Sequence, residues 1–510
     1  MAMQFDKAAV ISALWPIRSL NERLLPLLAL GLCGLLVTPG FGQESSTPQA
    51  PEAKSGESTP HPATSQPAMP SIIQKLPNYL GDFWKRKYMT GDWGGARTEL
   101  AEHGILVDLD LTQNFQGNAH GGHSTNGAYE YGGSADLRLQ LDTARMGLWP
   151  GGLIVLHGET QMGHAVNKDV GAFMLPNIKS VFPVPDDPGE TTLSEFYLMQ
   201  ALSEKVVVAA GKMDLLALGD RNAFAGDATH TTQFMNTGFN VNPVLLTAAP
   251  YTCMAAGVIL IPTDWLQIST LVCDNDPNGA ANMTGFNTAF HGRDWMSVMQ
   301  EYDLKIKPFN RPGNQRIGWF WTSKDFTEFE SDPRDPIPAR HIEIRGVPGF
   351  AQKLLPKNRR KAHIGDTLLD LRDPDTRPDN CGMYYNFDQY LFCDAKDPTK
   401  GWGLFGRFGL APSQANLFHT FYSIGLGGKG AIPLRDQDTW GVGYYYGNVD
   451  NNLGSRMGID NEQGVEMFYN IEVTPWFHIT PDLQVIANPA GDFGNRTTAI
   501  VYGLRGQINF

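Results

Sequence analysis

The chain has 510 residues, 42% of them hydrophobic and 18% charged, enough for a large core or for several domains. Its 55 glycines and 11% aromatic content suit many strands joined by tight turns. A formal net charge of −13 works against a nucleic-acid partner, whose phosphates would repel it.

Arg18 and Arg23 precede an apolar run from Leu24 to Val37, and the small residues Gly40 and Gly42 follow. The run is short for a bilayer span and has secretory flanks, so residues 1–42 read as a signal peptide. Residues 43–80 are rich in Pro, Ser and Thr and are expected to form a disordered linker. The remainder, 81–510, is expected to be one domain. It has no further stretch of ~18 apolar residues, hence no spanning helix. A chain of this kind that enters a membrane must do so as a closed sheet, because lipid cannot satisfy open strand edges.

One helix is legible. Asp92 is placed to cap a segment from Gly94 to His103, and Gly104 supplies its stop. The period then changes to two. Val107, Leu109 and Leu111 share one side, and Asp108, Asp110 and Thr112 the other. Leu137, Leu139 and Leu141 oppose Asp136, Arg138, Gln140 and Asp142. Val465, Met467, Tyr469, Ile471 and Val473 oppose Glu466, Phe468, Asn470 and Glu472.

Further strands read around 151–161, 191–202, 205–213, 250–261, 265–274, 293–305, 314–323, 383–391, 401–410, 416–427, 437–447 and 476–487. The closing segment, Arg496 to Phe510, puts Ile500, Tyr502, Leu504, Ile508 and Phe510 on one face. Gly503, Arg505, Gln507 and Asn509 lie on the other. A strand of this kind ending in Phe suits the closure of a transmembrane barrel; a soluble sandwich strand would alternate in the same way.

Connections such as Ser203-Glu204, Pro262-Thr263-Asp264 and Thr474-Pro475 are short, whereas 162–190, 214–249, 275–292 and 324–382 are long. Tight turns on one rim and long loops on the other, about sixteen strands, and charged alternate faces together predict an all-β fold. It is a transmembrane antiparallel barrel with a wet interior and a short N-terminal helix. Trp149, Trp265, Trp319 and Trp476 near strand ends suit an interfacial girdle, or ordinary packing.

Pore-lining or substrate-contacting candidates by alternation are Asp108, Asp110, Asp136, Arg138, Gln140, Arg407, Glu466, Glu472 and Arg505. Phe405, Phe468 and Tyr445 are candidate aromatic partners. Carboxylates and guanidinium forks bond hydroxyls, and aromatic faces pack on sugar rings. The solvated-wall reading of each stands beside the contact reading. Loops 162–190 and 214–249, with Arg221 and Asp227 in the second, are the places for a constriction.

Cys253 and Cys273 could face each other across a hairpin, and Cys381 and Cys393 could close a short loop; buried thiols are the other reading. His120 and His123 lack a third ligand, so no metal site is read. No elbow motif or metalloprotease helix marks a catalytic site, and no cofactor is called for. The basic run Lys357-Asn358-Arg359-Arg360-Lys361 reads as a solvated loop.

Several motifs resemble one family. Gly91-Asp92-Trp93-Gly94-Gly95, followed by Arg97 and Gly104, is similar to the opening signature of the carbohydrate-selective porins (OprB). Pro475-Trp476, Pro481-Asp482-Leu483-Gln484, Asn488-Pro489 and Gly503-Leu504-Arg505 resemble that family's closing strands. Ala210-Gly211-Lys212 and the stretch Gly401 to Arg407 are weaker likenesses. The resemblance runs from about residue 88 to the end; the region 324–382 matches nothing in it. It implies a 16-stranded barrel in the outer membrane of a Gram-negative bacterium, a non-enzyme that admits mono- or oligosaccharides by diffusion. Its partners would be those sugars and the outer-membrane lipids. The alternative is a secreted all-β carbohydrate-binding protein or glycoside-active enzyme, which would show two sheets stacked on an apolar centre.

Overall fold

A computed structural model describes residues 71–178, 191–226, 232–248, 250–276, 295–327, 376–394, 397, 400–449, 459–489 and 497–510. The first strands are β1 (Ile105–His120), β2 (Tyr129–Asp142), β3 (Gly152–Gly163), β4 (Thr191–Ser203), β5 (Val206–Asp214) and β6 (Thr252–Thr263). Then come β7 (Leu266–Asp274), β8 (Met296–Ile306), β9 (Gly313–Thr322), β10 (Phe326–Thr327), β11 (Thr376–Arg377) and β12 (Asn380–Cys393). The last are β13 (Gly401–Leu410), β14 (Phe418–Lys429), β15 (Thr439–Val449), β16 (Glu462–Thr474), β17 (Phe477–Ala487) and β18 (Thr498–Asn509).

All but β10 and β11 form one closed antiparallel barrel in which each strand pairs with its chain neighbour and β1 pairs with β18. β10 and β11 pair only with each other, at the base of the 324–382 region. The sheet closes on itself, so the stacked two-sheet alternative falls. The seam has regular register, with Leu111 opposite Ile508 and Phe115 opposite Leu504. The Phe510 amide donates to the Leu109 carbonyl at 2.8 Å.

Alternation sorts the two faces. Phe115, Leu137, Leu198, Ile317, Met383, Phe408, Ile424, Met467 and Leu504 point outward and are exposed. Their inward neighbours Asn114, Gln116, Asp136, Arg407, Glu466 and Arg505 are buried. An apolar outer surface on a closed strand cylinder is how a sheet meets lipid, since every backbone group is satisfied within the ladder.

β1 and β2 are longer than their period-two signature, which covers only 105–112 and 137–142. The reason is that Asn114, Gln116 and Asn118 are inward polar residues in a stretch with few outward aliphatics. Of the girdle candidates, Trp149 and Trp265 are exposed at turns. Trp319 lies within β9. Trp476 is buried, donates to the Phe83 carbonyl at 2.8 Å and meets the Phe83 ring at 5.0 Å.

The helix begins later than expected. Trp93, Gly94 and Gly95 all have positive φ (52°, 73° and 103°), which an α-helix excludes, so α1 spans Ala96–Glu102. Asp92 still serves its first turn, accepting the Thr98 amide at 2.8 Å. Gly104, at φ 84°, ends the helix. Of the linker expected over 43–80, residues 71–80 are anchored to the barrel by the buried Ile73 and Tyr79, while 43–70 lie outside the described residues. The Ile73 amide donates to Asp142 at 3.1 Å, and its side chain joins Leu106, Leu153, Val155 and Tyr197 on the inner wall.

Arg97 ties this segment to the seam. It donates to the Phe510 carbonyl (2.9 Å), the Val107 carbonyl (2.6 Å) and Asp108 (3.2 Å). Tyr79 and Tyr88 stack on its guanidinium at 4.2 and 4.4 Å. Burial, with the Asp108 charge behind it, pushes the Tyr79 phenol up to about 12, so it faces the cation as a neutral ring.

None of the four cysteines among the described residues is joined in a disulfide. Register pairs Cys273 with Ala255 rather than with Cys253. The 1–42 segment, Asp227 and the basic run at 357–361 lie outside the described residues.

Candidate functional site

The inner wall of β1–β4 carries two rows of charge. Cross-strand register places Asp108, Arg138, His157 and Glu195 side by side, and Asp110, Asp136 and Glu159 in the next row. Like charges facing each other across strands repel, so the carboxylates need partners. Arg138 reaches Glu195 at 3.3 Å, and the His157 ring lies between Glu195 (Nδ1, 3.0 Å) and Asp136 (Nε2, 3.2 Å). Ser134 donates to Asp136 at 2.8 Å. Glu159 accepts from Ser194 and, at 2.5 Å, from Tyr251. Asp136, His157 and Glu159 offer ligand-type atoms within 4.8 Å of one another. Both ring nitrogens of His157 are already on carboxylates, which is the arrangement of an ion-pair network. The Arg138 side chain keeps 33% of its surface exposed and Asp108 27%. Both present charge to the lumen.

Half a turn around the strand order, the wall of β12–β16 is covered. The 164–178 segment, with α2 (Asn167–Val170), and the described parts of the 215–248 loop, 215–226 and 232–248 with α3 (Thr237–Asn240), fold inward onto it. Glu462 accepts the amides of Phe173 and Met174 at 2.8 and 2.9 Å. Glu466 accepts those of Met235 and Asn236 at 2.6 and 2.9 Å. Gln484 donates to the Pro176 carbonyl at 2.8 Å, and Arg505 to the Gln233 carbonyl at 2.6 Å.

Arg407 is the most heavily engaged. Its Nε meets Asp220 at 2.9 Å, and its terminal nitrogens donate to the carbonyls of Asp220 (2.7 Å), Gly226 (3.0 Å), Asn240 (3.2 Å) and Phe239. Asp220 also accepts from Asn386 (2.7 Å) and the Asn242 amide (2.6 Å). Phe234, Phe239, Phe405, Tyr445 and Phe468 form a closed aromatic cluster around these bonds.

The sequence candidates thus divide. Asp108, Asp110, Asp136 and Arg138 come together in the charge ladder. Gln140 is buried on the same face of β2, and Glu472 is half-buried at the short-turn end of β16. Arg407 and Glu466 require correction as sugar contacts. Their side chains are sealed under the inserted loop, because a guanidinium fork and a carboxylate are what a loop with unpaired carbonyls and amides needs. Arg505 is buried in the same way. The aromatic candidates Phe405, Phe468 and Tyr445 are packed in the cluster beneath the loop.

The family-like residues Asp482 and Gln484 are inward and buried, with Gln484 donating to Asp482 at 2.9 Å. Pro481 is an outward residue of β17, and Asn488, at φ 52°, starts the loop before β18. Sequence reading missed His157, Glu159 and Glu195. The signal was present, since alternation in 151–161 puts both His157 and Glu159 on one face. It missed Asp220 because a loop has no period to read.

A closed sixteen-stranded cylinder, oily outside, charged within and narrowed by its own loops, defines an outer-membrane porin. The family model described as carbohydrate-selective porin, OprB family, matches residues 102–510, and the chain belongs to that family. Porin B of Pseudomonas aeruginosa is 22% identical over 454 residues, covering 83% of this chain and 91% of its own. Porin AaxA of Chlamydia pneumoniae is 31% identical over 108 residues, 21% of this chain and 24% of its own. The high-pH structure of Pseudomonas putida OprB shares the fold, with a TM-score of 0.69 at 20% identity, covering 84% of this chain and all of that one. The protein is accordingly a channel of the Gram-negative outer membrane whose cargo is carbohydrate.

Proposed function

We propose that the channel passes mono- or oligosaccharides by passive diffusion and selects them where the 215–248 loop faces the β1–β4 ladder. The observation that carries this reading is the half-buried Arg138, paired with Glu195 amid Asp108, Asp110 and Asp136. A neutral polyol offers hydroxyls that both donate and accept. A wall that sets one guanidinium among carboxylates answers both, and binding shared over several weak sites lets the sugar leave. The outward aliphatic and aromatic residues favour direct contact with outer-membrane lipid. No step in this reading makes or breaks a bond in the sugar.

The test is sugar block of ion current through purified protein in planar bilayers, with sugar recovered intact from the far side. Arg138→Ala should raise the half-blocking sugar concentration. Block identical to the parent, or hydrolysed sugar, would overturn the proposal.

A further inference from the structure

The wall beneath the 215–248 loop is built unlike the rest of the barrel. Where β13, β14 and β15 run together, Gly403, Gly427 and Gly441 are direct neighbours across the register. One pleat on, Phe405, Gly425 and Gly443 form the next row. Both rows face inward, sharing parity with buried Arg407, Phe421 and Tyr445. Five glycines in six adjoining positions leave a trough about 10 Å wide across two strand spacings, with the barrel's own Phe405 and Phe468 rings lying over Gly425 and Gly441.

None of these five has a positive φ. Their backbone is ordinary strand, which glycine only weakens. Conformation therefore does not call for glycine here, and the need is room. A Cβ on Gly443 would stand 2.5 Å from a ring carbon of Phe239, and one on Gly427 2.7 Å from Phe224. One on Gly441 would stand 2.7 Å from Phe234 and 2.5 Å from the barrel's Phe468, and one on Gly403 2.7 Å from Phe224 and closer still to the Gln389 carbonyl of β12. Phe224, Phe234 and Phe239 belong to the one inserted loop, and all are buried. Arg407 and Glu466 hold that loop by its backbone, fixing its position along the wall. The trough decides how deeply it sits.

We propose that this glycine trough sets the bore of the channel: by seating Phe224, Phe234 and Phe239 flush on β13–β15, it fixes how far the loop stands out from that wall into the lumen. This rests on the porin reading above. Gly443 is then a positioning residue for transport, acting through Phe239 without touching the sugar.

The test uses the full chain reconstituted as parent, Gly443→Ala, Phe239→Ala, the double variant, and Gly506→Ala. At Gly506 an added Cβ meets nothing within 4 Å. Single-channel conductance and the ratio of liposome swelling rates in glucose and maltotriose are read together. An added methyl must lift the ring by about 1 Å to reach ordinary contact. Gly443→Ala should then lose about a quarter or more of the conductance, with discrimination against maltotriose rising. The double variant should return both readings to the parent side, and Gly506→Ala should match the parent.

Unchanged conductance and ratio in Gly443→Ala, or a change that Phe239→Ala fails to reverse, would overturn the proposal. If Gly443→Ala does not fold, Phe239→Ala alone must raise conductance, and a parent-like value would overturn it as well. A parent with no sugar-permeable conductance would instead refute the porin reading, so the two failures are distinct.

Discussion

Replacing Arg407 by alanine strips the clamp from the 215–248 loop while leaving the lipid-facing surface unchanged. The guanidinium makes one carboxylate contact and donates to four loop carbonyls. Hydrogen bonds from a charged group are worth about 1.5–3 kcal/mol each, but five sharing one side chain do not add. Breaking a buried ion pair costs about 3–5 kcal/mol as a unit. Asp220 keeps Asn386 and the Asn242 amide as donors, which holds the cost near the lower end. About 3 kcal/mol corresponds to about a hundredfold shift in the equilibrium for loop release.

The barrel's ladder does not run through Arg407's side chain, so the loss should fall on the loop. Hydrogen exchange should therefore quicken about a hundredfold at the buried loop amides of Met235, Asn236 and Asn242. Single-channel records should flicker, while the folded barrel's electrophoretic mobility persists. Arg407→Lys should lie between, keeping the charge but lacking the fork. Parent-like protection of those amides, or collapse of the whole barrel with the loop still protected, would refute the reasoning.

Arg138→Ala should raise the half-blocking sugar concentration about tenfold, the loss of one charged hydrogen-bonding partner. It should also shift ion selectivity toward cations, read by reversal potential. Arg97→Leu removes three hydrogen bonds and three ring contacts at the seam. It should destabilise the barrel by about 3 kcal/mol in denaturant titration. Asp438 lies in the turn before β15. Burial would raise its carboxyl, but hydrogen bonds from Arg435 and Tyr469 outweigh that and hold it below the usual value of 3.8. A depressed acid contributes stability above its unfolded value and loses it as pH falls through the folded one. The penalty of Asp438→Asn should therefore be constant from neutrality to about pH 4 and vanish below that, as measured by unfolding at stepped pH.

Much of the barrel was legible because a strand with one face in lipid must alternate. Leu137, Leu139 and Leu141 against Asp136, Arg138 and Gln140 told both period and side. Alternation does not say what lies on the inner face. Arg138 and Arg407 look alike in sequence, each a lone arginine on an inward parity. One meets the lumen and the other is sealed beneath a loop that arrives from almost two hundred residues upstream. Glu466 was misread for the same reason, since its partners are backbone amides that no residue type announces. The glycines of 401–409 and 425–443 were visible as composition. Their alignment into a trough depends on register across three strands, and register is a property of the closed sheet. Ile73 and Tyr79 follow directly on a Pro- and Ser-rich stretch and are too few to show a period, though their burial follows from an apolar patch on the inner wall around Leu153 and Val155.

On the proposed route, sugars cross the lumen between the inserted loop and the β1–β4 ladder. Single-channel current across a planar bilayer holding the purified parent, titrated with neutral sugar from either side, reads this route. Open-channel current should fall with sugar in a saturable way, and more weakly in Arg138→Ala. A silent bilayer, or a current indifferent to sugar at every concentration, would contradict it.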